Sequence, residues 1–154
     1  MHEEGPVKNV EITVFSHATE DEEKVKCAVI NILSDNELNF HKEVLTGHYE
    51  DPILLFSIKV ENRSKANDLL SNIYLKLSTL DKTQLMSELS DRVDESGSLY
   101  MRLDKQKAYL GNVILNDNDP IRIKFRMKLQ YKTNPAEFIR SYIESLDKGS
   151  GFRI

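Results

Sequence analysis

Between residues 121 and 130 the chain reads IRIKFRMKLQ, in which Ile121, Ile123, Phe125, Met127 and Leu129 alternate with Arg122, Lys124, Arg126, Lys128 and Gln130. A β-strand sends successive side chains to opposite faces, so the pattern predicts one apolar face and one face bearing four cations. The cations recur about every 7 Å along that face, at about 3.3 Å of rise per residue. Such a row can neutralise a phosphate backbone, whose charges repeat at a comparable spacing. A plainer explanation also exists: antiparallel sheets commonly carry charge on a solvated face, and edge strands use Lys and Arg against edge-to-edge pairing.

More cations and rings come just before this run. SLYMRLD alternates as well, with Leu99, Met101 and Leu103 against Tyr100, Arg102 and Asp104, and Lys105, Lys107 and Tyr109 follow in the connection KQKAYLGN. If the two strands pair, Arg102, Lys105 and Lys107 join Arg122, Lys124, Arg126 and Lys128 as phosphate contacts. Tyr100 and Tyr109 then offer stacking faces for unpaired bases. Tyr100 also fits an ordinary half-buried sheet position.

The 154 residues carry a net charge of −4, which is the wrong sign for a nucleic-acid binder, but the charge is uneven. Residues 98–132 hold eight Lys/Arg against three Asp/Glu, whereas residues 1–97 hold ten against nineteen. Charges farther apart than a Debye length of about 8 Å are largely screened. A basic stretch can therefore attract an anion on an acidic chain.

Catalytic and metal-binding patterns are weak by comparison. His17, His48 and Asp104 could converge as a metal or acid–base site if their strand ends are neighbours, but close ligand spacing of the HxH or HxxxH kind is missing. His2 and His41 lie in polar surroundings. No GxSxG elbow, P-loop or Rossmann fingerprint occurs, and the acidic residues cluster at helix starts and loops. The expectation is a protein without catalytic activity, cofactor or metal. A lone Cys27 allows no internal disulfide and is expected in the core of a helix.

The scaffold is legible from periodicity. KNVEITVFSHA predicts a strand with Val10, Ile12 and Val14 on one face, and Thr19 with Glu22 predicts a capping box. The helix that follows carries Val25, Ala28, Val29, Ile32 and Leu33 on its apolar stripe, with Glu20, Asp21, Glu22 and Glu23 at its positive end. KEVLTGHY and ILLFSIKVE read as a hairpin with Pro52 outside the ladder. Asn62 or Ser64 caps a helix with Ala66, Leu69, Leu70, Ile73, Leu77 and Leu80 inward, and Asp81 restarts a shorter helix through Leu89 before a polar loop. KQKAYLGN reads as a turn. Asn134, Pro135 and Glu137 open a last helix with Phe138, Ile139, Tyr142, Ile143 and Leu146 inward. The expected fold is α+β: one antiparallel or mixed sheet of about five strands with helices on one face, in the order β-α-β-β-α-(α)-β-β-α. One domain is expected over residues 1–154, with mobile tails at about 1–7 and 147–154.

Four stretches together resemble a known family: HATEDEEKV at His17–Val25, GHY at Gly47–Tyr49, RLDKQKAYLG at Arg102–Gly111 and DPIRIK at Asp119–Lys124. They resemble archaeal RNA-binding proteins described as predicted exosome subunits. That resemblance implies a fold like that of the 5S-rRNA-binding ribosomal protein, RNA as ligand and a setting in RNA processing. It implies no catalytic residues. Lys107 departs from the resemblance, standing where the family is expected to carry a small residue.

The reading is a non-enzymatic RNA-binding protein, an accessory subunit in RNA processing or exosome-type assemblies. Its RNA contacts are Tyr100, Arg102, Lys105, Lys107, Tyr109, Arg122, Lys124, Arg126 and Lys128. Exosome- or ribosome-associated proteins and a homodimer are further partners under this reading. The alternatives are a protein-interaction or dimerisation module and a metal-assisted nuclease. A polar start and the absence of a long apolar run lead to the expectation of a cytoplasmic protein.

Overall fold

A computed structural model of the chain describes residues 5–34, 39–46, 51–130 and 132–152, without the side chains of 149–152. The elements run β1 (Val7–Ser16), α1 (Glu22–Leu33), β2 (His41–Thr46), β3 (Pro52–Val60), α2 (Arg63–Lys76), α3 (Thr79–Ser87), α4 (Leu89–Arg92), β4 (Ser98–Leu103), α5 (Lys105–Tyr109), β5 (Ile121–Met127) and α6 (Pro135–Phe152). The fold is α+β with a single five-stranded antiparallel sheet in the order β2-β3-β1-β5-β4. In the hairpin, β2 pairs with β3 from His41 opposite Ser57 to Thr46 opposite Pro52. Among the described residues no helix is long and apolar enough to cross a membrane.

Strand alternation becomes burial directly. Val10, Ile12 and Val14 on β1, Leu99, Met101 and Leu103 on β4, and Ile121, Ile123, Phe125 and Met127 on β5 are all buried. The chain divides into two compact units, one of Met1–Val10, Val60–Tyr100 and Lys124–Ile154, the other of Glu11–Lys59 and Met101–Ile123. Both draw on separated stretches of chain, so no linker marks a boundary in the sequence. In the first unit Leu70, Ile73, Leu85, Leu89, Ile139 and Ile143 form the helical part of the core, and in the second Val25, Ala28, Val29, Ile32 and Ala108 do so.

Several local expectations change. Asp21, not Thr19, caps α1 by accepting from Glu23 N, because Glu20 turns back to accept from His17 N at 2.9 Å and closes a separate turn. Cys27 is exposed. At 100° per residue it lies about 200° around the helix from Val25, opposite the buried stripe. Pro52 belongs to the ladder as the first residue of β3, the position a strand tolerates for proline.

Asn62 caps α2 as one of the two expected candidates, but the helix stops at Lys76. The apolar phase then restarts, and Leu80 on α3 is exposed at 76%. Ser78, rather than Asp81, caps α3. The expected loop after Leu89 contains the short helix α4, and the expected turn after Asp104 is α5.

Val7 is fully buried with its N–H donated to Asn67 Oδ1 at 3.0 Å, and Asp147 accepts from the Tyr74 hydroxyl at 2.7 Å. His2, His48 and the GHY stretch lie outside the described residues.

Candidate nucleic-acid interface

β5 is the fourth of five strands, with β1 on one side and β4 on the other. Its cations therefore cannot be explained as protection of a sheet edge. Ile121, Ile123, Phe125 and Met127 are at most 2% exposed, so alternation turns Arg122, Lys124 and Arg126 to the opposite side. Lys128 follows the strand and is exposed, its backbone N–H donating to Pro6 O at 2.7 Å.

In the unit that contains Lys124, its ammonium lies 5.5 Å from the centroid of the Tyr100 ring. The Tyr100 hydroxyl donates to Asp94 Oδ2 at 2.9 Å, while Asp94 Oδ1 accepts from Ser98 N and the Ser96 hydroxyl. Partial burial pushes the Asp94 carboxyl up. The hydrogen bonds from Ser98, Ser96 and Tyr100 and the charge of Lys124 outweigh it and hold the carboxyl at about 2. The ring is thus fixed from its hydroxyl end while its face carries the ammonium. Arg126 in the same unit is half-buried.

In the other unit the Arg122 guanidinium lies 5.6 Å from the centroid of Phe15, and the Lys24 ammonium 5.8 Å from that of Tyr109. Tyr109 is 41% exposed and lines a cleft of about 370 Å³ with Lys24, Val25, Gln106 and Leu110. Arg102 pairs with Asp117 at 3.6 Å. Lys107 is exposed and donates only its backbone N–H, to Asp104 Oδ1 at 2.8 Å. Among the described residues, Lys107, Arg122, Lys124 and Lys128 make no ion pair.

Lys105 stands apart from the other sequence candidates. Its ammonium donates to Phe15 O at 2.8 Å, to both oxygens of Glu20 at 3.1 Å and to Asp119 Oδ2 at 3.0 Å. Its side chain is 10% exposed. Acceptors from three residues, Phe15, Glu20 and Asp119, thus surround this ammonium.

His17 Nε2 lies 3.1 Å from Asp119 Oδ1, and His17, Glu20 and Asp119 have the spacing of a metal-ligand cluster. The Lys105 ammonium already sits on both carboxylates. Burial raises the Asp119 carboxyl, but hydrogen bonds from Lys105 and His17 and their charges bring it below its ordinary value.

Asp104, grouped with His17 and His48 in the sequence reading, caps α5 and accepts from Asn116 Nδ2 at 2.7 Å. Sequence reasoning missed Phe15, Lys24 and Asp94 as supporting residues. Phe15 was legible as an outward ring on β1, but which cation covers it depends on strand pairing.

Residues 9–128 match the family described as RNA binding. The chain belongs to this RNA-binding family. Over 146 residues it is 32% identical to a Pyrococcus abyssi protein named as an RNA-binding protein, covering 90% of this chain and 95% of that one. A solved DUF54 structure from Archaeoglobus fulgidus is similar at a TM-score of 0.76 and 30% identity, over 91% of this chain and 99% of that one. A DUF54 protein from Methanothermobacter thermautotrophicus is similar at 0.74 and 27%, over 92% and 98%. The match to the RNA-binding family ends at Lys128, so it includes every cation and ring named above and excludes α6.

Proposed function

We propose that the protein is a non-enzymatic RNA-binding protein, and that the outward side of β5 holds the phosphate backbone of single-stranded or irregular RNA. The observation that carries this reading is an internal strand whose Arg122 and Lys124 lie over aromatic rings and, among the described residues, make no ion pair. Edge protection does not account for cations there, and although the charge of Lys124 acts on Asp94, neither cation is in ion-pair contact among the described residues. Arg126, Lys128, Lys107 and Arg102 supply further positive charge, and Tyr100 and Tyr109 supply ring faces. Membership of the RNA-binding family and the name of the Pyrococcus relative support RNA as the ligand. The family resemblance alone extends the reading to an accessory role in exosome-type RNA processing.

The test is Arg122→Glu/Lys124→Ala/Arg126→Glu, which takes the charge of these positions from +3 to −2 and leaves Ile121, Ile123 and Phe125 in place. Titrated with a structured rRNA or tRNA fragment, the variant is expected to bind more than about tenfold more weakly, with the fold intact by circular dichroism. Wild-type affinity and salt dependence in this variant would remove β5 as the site. Wild-type protein that binds no RNA at low salt would remove the RNA reading. RNA incubated with the protein and Mg²⁺, Mn²⁺ or Zn²⁺ is expected to stay intact; turnover abolished by His17→Ala would make the protein an enzyme.

A further inference from the structure

Where the cationic row ends, a groove of about 890 Å³ begins, and Lys128 belongs to both. The other residues that give the groove its chemistry are Arg63, Gln130, Phe138, Ser141 and Tyr142. Arg63 enters from the start of α2 and donates from Nη2 to Gly5 O at 3.4 Å. Phe138 and Tyr142, one turn apart on α6, are half-buried, while Gln130 and Ser141 are exposed. One wall is the chain at Gly5. A Cβ added there would stand 2.2 Å from Asn67 Oδ1 and 3.1 Å from the Tyr142 hydroxyl, so only glycine lets the backbone pass this close.

We infer that this groove takes one unstacked nucleotide of a single-stranded RNA whose backbone runs along β5. The inference rests on the RNA-binding reading above and adds a place where a base is held. Lys128, which makes no ion pair among the described residues, gives the lining a cation that suits a phosphate. Phe138 and Tyr142 supply ring faces against which a base of any identity can stack. Gln130 offers both a donor and an acceptor amide group, and Ser141 a hydroxyl, which suit the edge of a base or a 2′-hydroxyl. The volume accommodates a nucleotide with water around it, and the open side leaves the chain free to continue.

The salt dependence of binding separates the two kinds of contact, because its slope counts neutralised phosphates and is insensitive to stacking. With oligouridylate and oligoadenylate as probes, Phe138→Leu is expected to lose about tenfold in affinity with an unchanged salt slope. Lys128→Ala is expected to lower the slope by about 0.7. Gln130→Ala, at an exposed position that carries no core packing, provides a second variant and is expected to weaken binding severalfold, also at constant slope. Thiouridine-substituted oligouridylate is expected to cross-link to Phe138 or Tyr142. Wild-type affinity in both Phe138→Leu and Gln130→Ala, with cross-links confined to β5, would overturn the groove and leave the RNA reading standing. Loss of all oligonucleotide binding by the wild-type protein would overturn both.

Discussion

Lys105 donates from Nζ to Asp119 Oδ2 at 3.0 Å, across fourteen residues of chain that include α5 and the loop to β5. The same ammonium reaches Glu20, and Asp119 reaches His17. Three of the stretches that carry the family resemblance, at His17–Val25, Arg102–Gly111 and Asp119–Lys124, thus meet around one ammonium. Asp119 itself adopts φ 45°, a left-handed conformation that an Asp tolerates and these contacts hold in place. At this point the shared motifs form one internal network of hydrogen bonds and ion pairs.

Lys105→Met leaves the Glu20 and Asp119 carboxylates without the ammonium between them, with only His17 Nε2 near both. A fully buried pair would lose more, but Glu20 and Asp119 are 30% and 40% exposed and water screens them. The expected cost is about 1–2 kcal/mol in a urea titration. RNA affinity of the folded variant is expected within about twofold of wild type. An unchanged stability with weakened RNA binding would return Lys105 to the phosphate contacts.

Asp94 makes stability depend on pH. Its carboxyl sits at about 2 in the folded chain against an ordinary 3.8. Its contribution is therefore complete above the unfolded value and is lost as pH falls from about 4 through 2. Asp94→Asn is expected to flatten this acid limb and, after allowance for solvent screening, to cost about 1 kcal/mol at neutral pH. Urea midpoints of both proteins measured across that range check it.

Gly97 and Gly111 have nearly the same backbone, at φ 90° and 89°, but different surroundings. A Cβ at Gly97 would meet Leu129 Cδ1 at 2.6 Å, while one at Gly111 would meet nothing within 4 Å. Gly111→Ala is expected to cost only the backbone strain, about 1 kcal/mol, and Gly97→Ala about 2–3 kcal/mol because Leu129 must also move. Thermal unfolding of the two variants side by side distinguishes the contributions.

Among the described residues Lys107, Arg122, Lys124 and Lys128 make no ion pair, and these four are the cations proposed to meet phosphates. On single-stranded RNA, log K is then expected to fall against log salt with a slope of about −2.8. A slope near zero would mean that binding is not electrostatic and would count against the cationic row.

The elements and their inward faces were open to reading because burial follows local period: Ile121, Ile123, Phe125 and Met127 alternate, and Val25, Ala28, Val29 and Ile32 recur at helical spacing. By the same arithmetic Cys27 falls about 200° from Val25, so its expected place in the core gives way to an exposed one. Helix starts were harder, since several polar residues compete within one turn. Asp21 caps α1 where Thr19 was expected, and the neighbouring Glu20 is turned back to His17 and across to Lys105.

By itself the sequence determined which side of each strand faces the core and that β5 carries cations on the other side, because both follow from the alternation of neighbouring residues. Which cations stand open was decided by tertiary structure alone. Lys105 and Lys107 are two residues apart with the same charge, yet one is held by Phe15, Glu20 and Asp119 and the other is exposed. Their acceptors come from distant positions, and electrostatic interaction falls off with distance in space regardless of separation along the chain. The placement of β5 inside the sheet is of the same kind: strand order is a property of pairing between remote segments, and it turned a charged strand from an edge device into a candidate surface for RNA.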